Sequence, residues 1–304
     1  MRLHSCGSPR ALSVRIPLVA NPVRILLIAS PSRGRTASVL DSVRATLSTL
    51  GAHVDPCDAD DAECVTRDVF DFAIVIGGDG TIIEQARRLL ARAKPIIGIN
   101  AGRVGFLAEF DSESFKTHAE FILAGNAKVR TRNVLAVAAM RGVTRLGGGC
   151  AVNDCVITAG EPFRMIELNL TVDDEAGPAV VGDGVIISTA TGSTAYSASA
   201  GGSIVHPSLD ALSIVPICAQ SLAFRPVTIP ASAHVRFTVR RANEGTALVL
   251  DGVKTCLLHA GDTITIERNP QGALFVTNPD NSYWRTLTEK LRWAAMPSYR
   301  TDTP

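Results

Sequence analysis

The stretch that decides the fold is an apolar segment that runs into a glycine-rich loop, Phe72-Ala73-Ile74-Val75-Ile76-Gly77-Gly78-Asp79-Gly80-Thr81. Its five apolar residues predict a buried strand, and apolar residues at helical spacing over residues 82–93 predict a helix. Thr81 and Glu84 fit a capping box, so this helix is expected to begin after Thr81. The loop is therefore placed at the carboxyl end of a strand, where open α/β sheets bind ligands.

The same alternation of strand and helix surrounds this loop. Residues 23–28 predict an earlier buried strand, residues 36–50 a helix that stops at Gly51, and residues 95–99 a third strand. Strands that alternate with helices imply right-handed crossovers and a mostly parallel sheet. We therefore predict an α/β domain with a parallel sheet over residues 23–130.

The pattern changes beyond about residue 130. Residues 165–172 and 235–239 alternate apolar and polar side chains, as half-buried strands do. We predict a predominantly β domain over residues 131–280. Residues 281–304 are expected to hold a C-terminal helix and tail, and this amphipathic helix is expected to dock back on the body. Its apolar positions are Trp284, Leu287, Leu291 and Trp293.

Composition limits the classes of function. The formal net charge is +1, so nothing draws the chain generally toward nucleic acid or acidic membranes, and no stretch approaches the ~20 apolar residues of a membrane span. The seven cysteines are scattered and odd in number, which favours free thiols and a cytoplasmic location. The six histidines form no zinc-binding motif. Residues 1–22 are expected to be a flexible tail.

Asp79 is a carboxylate at a position where a loop that only bound phosphate would favour a neutral side chain. The glycines permit close approach of the backbone, and the helix N-terminus favours an anion. A carboxylate about 4 Å from a phosphate charge costs about 4 kcal/mol at an effective dielectric near 20. Asp79 is therefore a candidate general base for an attacking hydroxyl, or a residue that positions Mg²⁺ indirectly. The alternative is an Asp that only shapes the turn.

The motifs of other nucleotide-binding classes are missing from the sequence. There is no G-x-x-x-x-G-K-[ST] loop, the protein-kinase motifs are absent, and no G-x-G-x-x-G follows a predicted strand.

Two further segments carry polar groups suited to a ligand. Asn153 and Asp154 set an amide beside a carboxylate, which can bind ribose hydroxyls or can form an ordinary turn. Asp183 precedes a short strand, and residues 188–202 are a run dominated by Ser, Thr, Ala and Gly. Such a run lets a ligand lie against backbone and hydroxyl groups, with Tyr196 as a flat surface. A flexible linker is the alternative, although the adjoining strand signal argues against it.

Taken together, these segments resemble the NAD kinase family from about residue 23 to residue 293. Gly-Gly-Asp-Gly alone is shared with 6-phosphofructokinases and with sphingosine and diacylglycerol kinases, whereas Asn153-Asp154 and the Thr-Ala-Tyr segment are more particular to NAD kinases. The matching segments are residues 77–81, 100–107, 153–154, 189–196, 201–207, 225–226 and 251–252. The chain departs from the family pattern at Ala190, Ala219-Gln220 and Val253.

The resemblance implies a role for each matching residue. Asp79 would be the general base on the ribose 2′-hydroxyl, and Asp183 would approach the nicotinamide half of NAD. The phosphate loop would comprise Gly77, Gly78, Gly80 and Thr81. The NAD site would comprise Gly80, Asn153, Asp154, Arg164, Asp183, Thr191, Thr194, Ala195, Tyr196 and Ser199.

The resemblance also implies a Rossmann-like N-terminal domain and a β-rich C-terminal domain. The expected partners are NAD and ATP, with polyphosphate as another possible donor, and a second copy of the chain in a homodimer or homotetramer. Mg²⁺ would arrive on ATP rather than in a protein metal site. The alternatives are a lipid or sugar kinase of the wider Gly-Gly-Asp-Gly group and a non-catalytic sensor of pyridine nucleotides.

Overall fold

The computed structural model describes residues 22–30, 35–61, 69–102 and 105–294. The expected flexible tail lies outside the described residues, apart from Pro22. The chain divides into two compact units. An α/β unit contains the described parts of residues 13–85, 94–130 and 275–304, and a β-rich unit contains residues 86–93 and 131–274.

The α/β unit is organised around a six-stranded sheet with the order β2-β1-β3-β4-β18-β5. The pairs β1–β2, β1–β3, β3–β4 and β4–β18 are parallel. The strands of this sheet are β1 (Arg24–Ala29), β2 (His53–Asp58), β3 (Phe72–Ile76), β4 (Ile96–Ile99), β5 (Val129–Arg132) and β18 (Ala273–Val276). The accompanying helices are α1 (Thr36–Thr49), α2 (Asp79–Leu89), α3 (Ser112–Leu123) and α5 (Tyr283–Leu291).

The central strands are buried along their whole length. Every residue of β3 and β4 is buried, and so is every residue of β1 after Arg24. Continuous burial is typical of parallel strands that are covered on both faces, which confirms the predicted α/β fold. The predicted helix over residues 36–50 is α1, which buries Leu40, Val43 and Leu47.

Several elements of this unit differ from the prediction. The helix after the glycine-rich loop begins at Asp79, not after Thr81, and it ends at Leu89 with a short 3-10 turn beyond it. The capping box at Thr81 is therefore wrong. Strands β2 and β18 and helix α3 were not predicted. Strand β2 borders the sheet, contains only half-buried and exposed residues and includes Pro56, so it lacks the apolar run of a central strand.

The β-rich unit is a sandwich of two antiparallel six-stranded sheets. Their strand orders are β10-β9-β14-β17-β6-β7 and β13-β12-β11-β8-β15-β16. The strands of the first sheet are β6 (Leu135–Arg141), β7 (Thr144–Ala151), β9 (Ile166–Val172), β10 (Glu175–Gly182), β14 (Val235–Arg241) and β17 (Thr263–Arg268). Those of the second are β8 (Asp154–Thr158), β11 (Gly184–Thr189), β12 (Ala211–Ile217), β13 (Val227–Pro230), β15 (Ala247–Leu250) and β16 (Val253–Leu257).

One apolar core fills the space between these two sheets. It takes alternate residues from each, such as Leu168 and Phe237 from the first sheet and Ile187 and Ile214 from the second. Strands such as β9 and β14 alternate buried and more exposed residues, as the sequence pattern predicted, whereas β8, β11 and β12 are buried along nearly their whole length. The predominantly β prediction is confirmed. A four-residue helix, α4 (Tyr196–Ser199), follows β11.

The C-terminal helix is present as α5. Leu287 is buried, whereas Trp284 and Trp293 are each about half exposed. Leu287 is therefore the residue of the predicted apolar face that packs fully into the α/β unit, whereas the two tryptophans are only partly covered.

The cysteines are only partly as expected. Cys150, Cys155, Cys218 and Cys256 are free thiols, but Cys57 is disulfide-bonded, so the prediction of free thiols throughout is wrong at Cys57. Among the described residues, no helix is long and apolar enough to cross a membrane.

An ion pair between a half-exposed arginine and a buried carboxylate stabilises the turn before β17. Both oxygens of the fully buried Asp262 carboxylate accept hydrogen bonds from Arg141, at 2.7 and 2.8 Å, and Oδ2 also accepts one from the backbone N–H of His259 at 2.8 Å. The side-chain hydrogen bond from Arg141 lowers the pKa of Asp262. By contrast, the pair between Arg268 and Asp210 lies at 2.8 Å with both side chains about half exposed.

This contrast predicts unequal costs for removing the two carboxylate charges. Asp262→Asn is expected to lower the free energy of unfolding by roughly 3 kcal/mol, because the neutral amide at this buried position cannot accept all the hydrogen bonds that the carboxylate accepts from Arg141 and His259. Asp210→Asn, the matched control, is expected to lower it by less than about 1 kcal/mol. Urea denaturation at pH 7 measures both values, and equal losses would contradict the prediction.

Candidate active site

The glycine-rich loop presents bare backbone to solvent at the start of α2. The carbonyl oxygen of Gly78 accepts the first helical hydrogen bond, from the N–H of Ile82 at 3.1 Å. Gly78 and Gly80 are exposed, and a methyl group added to either would touch nothing within 4 Å. Thr81 lies within the first turn of the helix, against Gly77, where an added Cβ would lie 2.8 Å from the Thr81 Cβ. The free N–H groups of this turn suit a bound phosphate.

The carboxylate of Asp79 is held by a second backbone segment. Its Oδ2 accepts a hydrogen bond from the N–H of Phe106 at 3.0 Å, and its Oδ1 accepts from the N–H groups of Leu107 and Ala108, each at 3.1 Å. These donors fix the direction of a side chain that is 26% exposed. Asp79 therefore does more than shape its own turn.

Gly105 makes this arrangement possible. A Cβ on Gly105 would overlap the Oδ1 of Asp79 and would lie 2.6 Å from its Cγ. The neighbouring residues 103 and 104 of the predicted 100–107 loop lie outside the described part of the chain. The carboxylate thus occupies the space that a side chain at position 105 would fill.

A cation from the C-terminal helix approaches the same carboxylate. The Nζ of Lys290 lies 3.5 Å from the Oδ2 of Asp79, and its side chain is 30% exposed. Lys290 was not among the predicted site residues, because nothing local in the sequence relates α5 to the glycine-rich loop.

In the β-rich unit, the Asn153–Asp154 turn is held by a residue that was not predicted as part of the site. The carboxylate of Asp251 accepts hydrogen bonds from three consecutive N–H groups, those of Val152, Asn153 and Asp154, at 2.8, 2.8 and 3.0 Å. In return, the N–H of Asp251 donates to the carbonyl oxygen of Asp154 at 3.0 Å. Asp251 has a left-handed backbone, φ +46°, and begins the turn between β15 and β16. The Asp-Gly dipeptide signals that turn but not its contact.

Two buried carboxylates therefore lie close together. Burial raises the pKa of Asp154 to about 7, with a further contribution from the charge of Asp251. Burial also raises the pKa of Asp251, against the opposing effect of its three backbone hydrogen bonds and of Arg87. Arg87 Nη1 lies 3.8 Å from the Oδ2 of Asp251 and donates to the carbonyl oxygen of Leu250 at 3.0 Å.

The small-residue run packs directly on the Asn153–Asp154 turn. The N–H of Thr189 donates to the carbonyl oxygen of Asn153 at 2.9 Å, and the Thr189 hydroxyl donates to that of Val152 at 2.7 Å. A Cβ at Gly192 would overlap the Asn153 oxygen. These contacts contradict the flexible-linker alternative, because the run is an ordered 3-10 turn, Gly192–Thr194, followed by α4.

Five predicted site residues lie on this run. Thr191, Thr194 and Ala195 are half-buried, whereas Tyr196 and Ser199 are exposed. Tyr196 is 48% exposed, so its ring is available as a flat surface.

The remaining two predicted residues of this unit lie at the other end of β8 and β11. Asp183 is half-buried just before β11, and its carbonyl oxygen accepts from the N–H of Ala159 at 2.7 Å. The Asp183 carboxylate also interacts with Cys218. The hydrogen bond between the Cys218 thiol and this carboxylate raises the pKa of the thiol. Arg164 lies on the exposed turn between β8 and β9, where its carbonyl oxygen accepts from Asn243 at 2.9 Å.

An exposed glycine loop that begins a helix after a parallel strand, with a fixed carboxylate in its first turn, is suited to bind a phosphate beside a group that can accept a proton. Two family models match the chain: the ATP-NAD kinase N-terminal domain over residues 25–127 and the ATP-NAD kinase C-terminal domain over residues 152–278. The chain therefore belongs to the NAD kinase family, whose members are phosphotransferases with an alcohol acceptor.

Individual relatives agree with this assignment. An NAD kinase from Nitratidesulfovibrio vulgaris is 38% identical over 272 residues, covering 88% of this chain and 96% of the relative. One from Rhodopirellula baltica is 32% identical over 279 residues, covering 92% and 89%.

Solved structures agree as well. Yeast NADH kinase complexed with NADH superposes with a TM-score of 0.78 at 26% identity, covering 93% of this chain and 91% of that one. The NAD kinase from Archaeoglobus fulgidus in complex with ATP gives 0.73 at 27% identity, covering 89% and 99%.

The raised pKa of Asp154 predicts a pH-dependent penalty on stability. In the unfolded chain Asp154 ionises near its ordinary value of 3.8, whereas in the folded chain it keeps its proton up to about pH 7. Asp154 therefore lowers the stability progressively between about pH 4 and pH 7, by roughly 2–4 kcal/mol, and the penalty stays constant at higher pH.

Asp154→Asn should remove that penalty. We expect its Tm to exceed that of the original protein at pH 8, by roughly 2–4 °C for each kcal/mol recovered, and to approach it at pH 4.5. Glu161→Gln, on an exposed turn, is the control and should show no such pH-dependent gain. Thermal melts from pH 4.5 to pH 8.5 provide the measurement. A gain that does not vary with pH would contradict the assigned cause.

Proposed function

We propose that this protein transfers the γ-phosphate of ATP to the 2′-hydroxyl of the adenosine ribose of NAD, which gives NADP. The observation that carries the proposal is the Asp79 carboxylate, held by three backbone N–H groups within an exposed glycine loop. The relatives named NAD kinase and the ATP-bound Archaeoglobus structure support this choice of substrates.

In the proposed reaction, the 2′-oxygen forms a bond to the γ-phosphorus as the bond from that phosphorus to the β,γ-bridging oxygen breaks. ADP carries away the electron pair of the broken bond, and the proton of the hydroxyl passes to Asp79. The N–H groups of Gly78, Gly80 and Thr81 bind the donor phosphates. Gly77 belongs to the same loop, but its own N–H already donates to the carbonyl oxygen of Ile99 at 2.9 Å, so its part is to leave room for Thr81. Because Asp79 is oriented in advance by the 106–108 segment, it loses little conformational freedom when the substrate arrives.

The β-rich unit contributes the NAD-binding residues of the proposal. The Asn153 amide and the Asp154 carboxyl bind ribose hydroxyls, for which their fixed turn is suited. The ring of Tyr196 offers a surface for stacking, and Asp183 approaches the nicotinamide half. The other proposed contacts are Gly80, Arg164, Thr191, Thr194, Ala195 and Ser199.

Magnesium enters the proposal as the ion that ATP carries. Among the described residues, no three His, Cys, Asp or Glu side chains converge on a common point. Asp79 is the carboxylate of the phosphate loop, and its two oxygens already accept backbone hydrogen bonds. That arrangement suits a contact with the ion through water rather than direct coordination. When bound, the ion neutralises charge on the donor phosphates.

Two further elements of the proposal rest on the family resemblance, namely a homodimer or homotetramer and polyphosphate as another possible phosphate donor. A cytoplasmic location is proposed from the scattered cysteines of the sequence.

Asp79→Asn tests the assigned general base. We expect the variant to fold and to bind NAD, but its kcat to fall by roughly 10²–10⁴, the usual loss when a general base is removed. NADP formed from NAD and Mg²⁺–ATP would be read with a strictly NADP-dependent dehydrogenase. Activity close to the original would remove Asp79 from the role. No NADP from well-folded original protein, with ATP and polyphosphate both tried, would favour a sensor or a lipid kinase.

Gly105→Ala tests the geometry that holds this base. The new Cβ would displace the Asp79 carboxylate, and a displacement of about 1 Å at a reacting group can cost roughly 10²-fold in rate. We expect kcat to fall by about that factor while the KM for NAD changes less than threefold. The same dehydrogenase-coupled assay measures both values. An unchanged kcat would mean that the direction of Asp79 does not limit the reaction.

A further inference from the structure

Lys290 reaches the Asp79 carboxylate from the far end of the chain. Its Nζ lies 3.5 Å from the Oδ2 of Asp79, and the two residues are separated by 211 positions in sequence. Both side chains are partly exposed, at 30% and 26%. A ligand arriving at the glycine loop could therefore reach the ammonium as well as the carboxylate.

The helix that carries Lys290 is fixed without help from this ion pair. Leu287 is buried in the α/β unit, and the Thr286 hydroxyl donates to the Asn281 side chain at 3.1 Å. The ring of Tyr283 lies against that of Phe106, with centroids 6.3 Å apart. Phe106 belongs to the segment that holds Asp79. The position of Lys290 therefore follows from the docking of α5.

The acceptor positions of the Asp79 carboxylate are fully used in this arrangement. A carboxylate offers about four lone-pair sites, two on each oxygen. Oδ1 accepts from the N–H groups of Leu107 and Ala108, and Oδ2 accepts from the N–H of Phe106 and from Lys290. For Asp79 to accept a proton from a substrate hydroxyl, one of these donors must leave.

Lys290 is the donor best able to leave. The three backbone hydrogen bonds, at 3.0 to 3.1 Å, come from a partly buried segment, whereas the contact with Lys290 is longer and open to solvent. Exposed ion pairs of this kind add little to stability. A lysine ammonium on its flexible stem is also a point charge that can move from a carboxylate to a phosphate.

We propose that Lys290 is a donor-binding residue that pairs with Asp79 in the free protein and moves to the phosphates of ATP when ATP binds. This movement frees the Oδ2 of Asp79 for the substrate hydroxyl and offsets the repulsion between Asp79 and the donor. The inference rests on the proposed function, since it assumes that ATP binds at the glycine loop.

Lys290→Met is the test, with Lys290→Arg to restore the charge. Arg285→Met is the matched control, because it removes from the same helix a cation that donates to the carbonyl oxygen of Asp280 at 2.9 Å. The Kd for Mg²⁺–ATP would be measured by calorimetry without NAD, and kcat and KM by the dehydrogenase-coupled assay.

We expect Lys290→Met to raise the ATP Kd by roughly 10- to 100-fold, as loss of a charged hydrogen-bond donor does. Its Tm should change by less than about 4 °C and the KM for NAD by less than threefold. Lys290→Arg should keep the ATP Kd within about threefold, and Arg285→Met should leave it unchanged. An ATP Kd in Lys290→Met that matches that of Arg285→Met would overturn the inference.

The two proposals fail in distinguishable ways. NADP formation with an ATP Kd that does not depend on Lys290 would overturn the role of Lys290 alone. ATP binding that depends on Lys290, without any NADP formation, would overturn the proposed reaction alone. Original protein that binds no ATP would overturn both.

Discussion

The carboxylate of Asp251 is the contact on which the polar half of the β-rich unit depends. It accepts hydrogen bonds from three consecutive backbone N–H groups and thereby fixes the turn that presents Asn153 and Asp154. This turn also accepts hydrogen bonds from Thr189 and leaves no room for a side chain at Gly192. A single buried acid thus orders two segments that are separate in sequence. The backbone donors and Arg87 favour its ionised form and oppose the rise in pKa that burial causes.

The α/β unit uses the same device at its glycine loop. Asp79 also accepts hydrogen bonds from three N–H groups, those of residues 106–108. It remains partly exposed, however, and its cation is the partly exposed Lys290 at 3.5 Å. The difference matches their tasks in the proposed reaction. Asp251 supports residues that bind, so it is buried and its partners are fixed, whereas Asp79 must exchange a partner during the proposed reaction.

Sequence patterns were sufficient for the elements whose burial is continuous. The strands β1, β3 and β4 follow from unbroken apolar runs, and the predominantly β character of the second half follows from alternation in segments such as 165–172 and 235–239. Sequence patterns were insufficient where a local motif is overridden by a contact with a distant part of the chain. Thr81 and Glu84 satisfy a capping box, yet the helix begins at Asp79, because its carboxylate is engaged by a distant segment and Gly78 supplies the first helical acceptor.

The supporting residues of the site lay beyond local inference for the same reason. Asp251 is part of an ordinary turn dipeptide, and Lys290 is one polar residue on an amphipathic helix. Each acquires its importance only from a partner far along the chain, which a single sequence does not reveal.

The close approach of the Asp79 carboxylate to Gly105 has a consequence for how this protein can vary. Because the Asp79 carboxylate fills the volume of a side chain at position 105, every amino acid other than glycine at that position collides with the acid. Neither position can change usefully by itself: a side chain at 105 displaces the acid, and a shorter residue at 79 removes it. The two positions should therefore be inherited as one unit, and drift in either would mark lineages in which this chemistry has been abandoned.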